Sequence, residues 1–144
     1  MATESIINEV RLVRQSVARE RNDAMLFANE QRHIFDETRR IAQQPQTLRD
    51  GLIQRRAEVE RQRDKMNEYC QSLSDCPEAL HDSVVKLSDK LDALDDEIKA
   101  ASFKLDRANA QLEYARKDYE SAQAKFQTLD RQLKELDAHV EALH

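Results

Sequence analysis

With 144 residues the chain is long enough for one domain, yet it is 35% charged and 5% aromatic, and its single glycine and two prolines leave too little turn chemistry for a multi-stranded sheet. The net charge of −5 argues against nucleic-acid binding by bulk electrostatics. No apolar run approaches the roughly 18 residues of a membrane span, and the start MATESIINEVRLVR lacks a basic region followed by an apolar core, so neither a span nor a signal peptide is expected.

Ala, Glu, Lys, Leu, Arg, Gln and Asp dominate, which is the profile of long helices or coiled coil. Disorder is the rival reading for so polar a chain, and it loses because the apolar residues are strictly periodic. The first predicted element is a helix over about 3–73. Its seam is read as Ile6, Val10, Val13, Val17, Ala24, Phe27, Ile34, Ile41, Leu48, Leu52, Val59, Met66, Tyr69 and Leu73. Glu20, Gln31, Thr38, Pro45, Arg55 and Gln62 interrupt that seam. Ile7, Ala28 and Phe35 lie beside it and widen the apolar stripe beyond a two-helix seam, which points to a third helix from a partner or a second copy.

Within this helix, RIAQQPQTLRDGLIQRR (40–56) predicts a break near 44–51. Pro45 removes a helical hydrogen bond and Gly51 loosens the backbone, so a kink, a short loop or a working hinge is expected, with Thr47 near the cap of the restarted helix. Arg55, Arg56, Arg61 and Arg63 follow as a group that can offer guanidinium forks to carboxylates of a protein partner. Glu58 and Glu60 interrupt the group and disfavour nucleic acid.

A turn is predicted at about 74–76. Asp75 and Glu78 make a D-x-x-E capping box, and Pro77 suits a first helical turn. Cys70, Cys76 and His81 surround the turn. Three candidate ligands at C-x5-C spacing fit zinc poorly, so no metal and no cofactor is expected. A disulfide is geometrically open, and two reduced thiols at an exposed tip is the reading adopted, in keeping with a cytoplasmic, reducing compartment. His33, His139 and His144 are scattered. There is no phosphate loop, zinc-protease motif or nucleophile motif, so no enzymatic activity is expected.

The second predicted helix, about 77–143, alternates steps of four and three through Leu80, Val84, Leu87, Leu91, Leu94, Ile98, Ala101, Leu105, Ala108, Leu112, Ala115, Tyr119, Ala122, Phe126, Leu129, Leu133, Leu136, Val140 and Leu143. This is a sustained coiled-coil signal. Residue i should face roughly residue 150 − i, so that Ala101, Ala108, Ala115 and Ala122 meet Leu48, Ile41, Ile34 with Phe35, and Phe27. A parallel homodimer of the second helix is the competing arrangement. Residues 1–73 carry 13 basic and 12 acidic residues, and residues 74–144 carry 10 and 16, so complementarity between the helices is expected.

The expected fold is therefore all-α: one domain over 1–144, a long antiparallel two-helix coiled-coil hairpin with a kink or short loop in the first helix. The length, the paired antiparallel helices, the Arg/Gln/Glu-rich first helix and the scarcity of aromatics resemble the FliJ/YscO-type stalk proteins of flagellar and type III secretion export ATPases. That resemblance implies a rod seated in an ATPase ring and contacting an export gate. The residues themselves imply a non-enzymatic structural or adaptor subunit that binds protein partners through its helix faces or self-associates. A nucleic-acid-binding helical arm is the remaining alternative.

Overall fold

The computed structural model describes residues 2–143. Two helices, α1 (Ala2–Ser72) and α2 (Glu78–Leu143), pack against each other as an antiparallel hairpin. The chain divides into two compact units. A terminal unit takes in α1 as far as Arg39 and α2 from Gln111, and a turn unit spans Arg40–Ala110.

Cross-helix pairs give the register. In the terminal unit Arg14 meets Asp137 and Arg21 meets Asp130; in the turn unit Arg49 meets Ser102 and Arg56 meets Asp95. Residue i thus lies opposite 151 − i within each unit, one residue from the expected register. The α2 seam is as expected: Leu91, Leu94, Ala101, Ala115, Ala122 and Leu129 are buried, and the residues between them in the series are half-buried.

Only half of the expected α1 seam is correct. Val10, Val17, Ala24, Gln31, Thr38, Pro45, Leu52 and Val59 do turn inward. The second inward row is not Ile6, Val13, Phe27, Ile34, Ile41 and Leu48, which are all exposed. It is Ile7, Arg14, Arg21, Ala28, Phe35, Ala42, Arg49, Arg56, Arg63 and Cys70, at seven-residue spacing. The large-on-small pairing of Leu48, Ile41 and Ile34 with the α2 alanines is therefore not what fills the interface. The buried residues of α1 in this stretch are themselves alanines, Ala24, Ala28 and Ala42. Small side chains on both helices allow close approach of the two axes. In the turn unit the packing becomes larger, with Val59, Leu91 and Leu94 forming a cluster joined by Leu52 and Leu87.

The expected break at 44–51 is absent as a loop: α1 is helical throughout, with Pro45 inside it. Proline removes one amide donor, but the residues on both sides are good helix formers packed on α2, and tertiary packing overrides the local penalty. Thr47 does not cap a restarted helix. Its hydroxyl donates back to the Gln43 carbonyl at 3.0 Å, a bond available only in mid-helix. Gly51 has no left-handed backbone and would meet nothing within 4 Å if it carried a Cβ. The helix runs through both residues without a loop.

The connection covers 73–77. The Leu73 amide closes α1 on the Cys70 carbonyl at 3.3 Å. The Pro77 carbonyl opens α2 by accepting from the amides of Leu80 (3.0 Å) and His81 (3.2 Å). The capping box from Asp75 to Glu78 has no counterpart among the described hydrogen bonds. Among the described residues no helix is long and apolar enough to cross a membrane.

Candidate functional site

The two edges of the helix interface differ in chemistry. Along one edge, arginines of α1 reach across to short polar residues of α2. Arg21 Nε donates to Asp130 at 2.7 Å, and Arg49 Nε donates to the Ser102 hydroxyl at 2.8 Å. Arg14 pairs with Asp137, and Arg56 with Asp95. These bonds raise the Arg14 and Arg56 guanidinium pKa values further, chiefly by hydrogen bonding to Asp137 and Asp95. The Asp130 carboxyl is held below the usual aspartate range by hydrogen bonds from Arg21 and then Lys134. Each arginine lays its aliphatic stem over the seam and keeps its charged head at the edge.

The other edge is apolar along much of α1. In the terminal unit it presents Ile6, Val13, Phe27 and Ile34, which are 51, 52, 52 and 44% exposed. Val13 and Val17 share a groove with Leu136 and His139 of α2. Phe27 and Ala24 share another with Ala122 and Lys125. In the turn unit the same heptad position carries Ile41 and Leu48, then Tyr69, and Met66 and Tyr69 line a groove with Leu87. Glu20, Arg55 and Gln62, read from sequence as faults in the seam, occupy this outer row and are exposed.

Of the residues expected to bind a partner, two lie in the hairpin interface instead. Phe35 is half-buried and stacks on Tyr119, ring centroids 6.0 Å apart, and Ile7 is half-buried in the same inward row. The reason is register: the row that carries the arginine rungs is the one that faces α2. The arginine group is also divided. Arg56 is committed to Asp95 and, at 3.0 Å, to Glu60, and Arg63 pairs with Asp64 at 3.0 Å. Arg55 and Arg61 are exposed. The outer row was present in the sequence as a seven-residue apolar repeat, but it was assigned to the seam.

At the turn, Cys70 and Cys76 are joined as a disulfide with Cα atoms 5.1 Å apart, which corrects the expectation of two reduced thiols. The sequence places Cys70 at the end of one helix and Cys76 in the turn, which allows the pairing, but it does not fix whether the two thiols are oxidised. His81, the third member of the group, has its ring nitrogen within 4.8 Å of the two sulfurs.

The architecture defines a two-helix hairpin with one stitched and one open edge. No family model, curated protein or solved structure matches the chain.

Proposed function

We propose that the chain is a non-enzymatic coiled-coil adaptor subunit of a larger assembly, and that it binds a protein partner along the open edge of α1. The observation that carries this reading is the unpartnered apolar row of Ile6, Val13, Phe27 and Ile34 beside a seam already filled by α2. Large side chains left about half exposed at heptad spacing are what a further amphipathic helix would cover. The more particular form of this reading is the stalk of a type III secretion or flagellar export ATPase, supported by the outline resemblance of a long helical hairpin.

Site-specific photo-cross-linkers test the class. Groups placed at Val13 or Ile34 should give discrete protein adducts in cells, and a group at the exposed Glu113 of α2 should give none. Equal labelling from all three positions would remove the assignment of the open edge. For the stalk, the chain added to a cognate hexameric export ATPase should raise its turnover, and unchanged turnover would exclude that form.

A further inference from the structure

We propose that the hairpin turn is a metal site in its dithiol form, with Cys70 Sγ, Cys76 Sγ and a ring nitrogen of His81 holding one zinc ion. The three ligand atoms already lie within 4.8 Å of one another. Tetrahedral zinc with Zn–S of about 2.3 Å and Zn–N of about 2.0 Å places its ligand atoms roughly 3.5–3.8 Å apart. The rearrangement needed is thus the separation of the two bonded sulfurs with at most a small shift of the imidazole. Cys76 lies in the non-helical segment 73–77 and can supply it.

The juxtaposition of Cys70 and His81 does not depend on the disulfide. The two residues obey the same 151 − i register as Arg49 with Ser102 and Arg56 with Asp95 in this unit. That register is fixed by the Val59, Leu91 and Leu94 cluster. His81 is fixed in addition by its own amide, which donates to the Pro77 carbonyl at 3.2 Å in the first turn of α2. Cys70, 5% exposed, is held where α1 ends. Opening the sulfur–sulfur bond therefore leaves a buried thiol facing an imidazole, with a second thiol in the non-helical segment.

Paired C-x2-C ligands serve a local knuckle, whereas here the antiparallel register brings residues 70 and 81 across from each other. Two thiolates and an imidazole suit zinc, and the fourth position stays open to water or to a ligand from outside. The disulfide and the metal exclude each other. A dithiol reductant delivers two electrons and two protons to the cystine and is itself oxidised to its disulfide. Zinc then displaces the two thiol protons to form two Zn–S bonds. Two-electron oxidation of the two thiolates by hydrogen peroxide, which takes up two protons from solvent and is reduced to two water molecules, reforms the sulfur–sulfur bond and releases Zn²⁺.

The test uses the full chain reduced with a phosphine under anaerobic conditions. Cobalt(II), as a spectroscopic substitute, should give one equivalent of binding with the visible bands of a tetrahedral thiolate site, and zinc should displace it. Competition with a chelating dye should show that His81→Ala weakens zinc binding beyond the ~10–100-fold cost of losing an outer-shell group. The pair Cys70→Ser with Cys76→Ser should abolish it, and the oxidised chain should not bind. Zinc should also slow alkylation of the thiols in the unmutated chain, a readout that needs no variant. Zinc affinity equal in the reduced chain and the double serine variant would overturn the site. So would an alkylation rate unaffected by zinc. An unchanged affinity in His81→Ala would overturn the assignment of the third ligand.

Discussion

Arg21 shows how one side chain does three things at this interface. Its Nε donates to Asp130, its other nitrogen reaches the Asn22 side chain at 3.4 Å, and its guanidinium lies 5.3 Å from the Phe126 ring centroid. The arrangement closes the seam edge over a half-buried aromatic without burying a charge, which would cost far more than it returned. It also makes a prediction about acid. Asp130 has its folded-state pKa depressed by Arg21 and Lys134. Such a group stabilises the fold fully above its unfolded pKa, roughly 3.9 for aspartate. The contribution is lost as pH falls from there through the folded value. Asp130→Asn should therefore make thermal stability less sensitive to pH below about 4. Circular-dichroism melts across that range decide it, and parallel acid limbs in both proteins would mean that the rung does not form in solution.

At the scale of the helix, the contrast between α1 and α2 explains what could be read from sequence. In α2 the rows flanking the seam are polar throughout, so the four-and-three rhythm admits one solution, and it is the one observed. In α1 three adjacent rows compete. The row of Val10, Val17 and Ala24 belongs to any seam, and periodicity favours Ile6, Val13 and Phe27 as its companion. The actual companion row contains Arg14, Arg21, Arg49 and Arg56, which hydropathy scores as solvent-facing although their stems cover the seam. Ile7 and Phe35, expected at a partner face, belong to this same inward row, and the places of the two cysteines at the turn are legible in the sequence whereas their oxidation state is not. Helix-breaking residues were over-read too. Since Gly51 is helical and meets nothing where a Cβ would go, Gly51→Ala should raise stability by about 0.5–1 kcal/mol. Pro45→Ala should raise it further, toward the ~3 kcal/mol that proline costs in a helix interior. Urea unfolding measures both, and a loss on either substitution would indicate that the site departs from a helix in solution. Gln31 faces inward and lines a groove with Phe27 and Ala122. Gln31→Leu should accordingly stabilise the hairpin by on the order of 1 kcal/mol, and a null result would place that side chain outside the seam.

For the molecule as a whole, stability and recognition are assigned to different residues, and this division can be broken experimentally. Leu94 is 4% exposed in the Val59 and Leu91 cluster, whereas Phe27 and Ile34 are 52 and 44% exposed on the open edge. Truncating Leu94 removes buried surface and leaves a cavity, so Leu94→Ala should cost about 2–5 kcal/mol in urea unfolding. Under conditions where that variant is still folded, its photo-adducts from Val13 should match those of the unmodified chain, because the outer row of the terminal unit is intact. The double substitution Phe27→Ser with Ile34→Ser should do the reverse. Solvent already reaches both side chains, so unfolding should shift by no more than about 1 kcal/mol, in line with exposed positions. Adducts from Val13 should fall at least several-fold, because a partner helix spanning that row would lose its two neighbouring contacts. If the serine pair instead lowers stability as much as Leu94→Ala, the outer row is part of the hairpin's own core and is not a docking face. If the adducts survive the serine pair while stability holds, the partner binds elsewhere on the chain. The full outcome, stability lost in one variant and binding in the other, is expected only of a hairpin whose alanine-lined seam is complete without the larger apolar residues beside it.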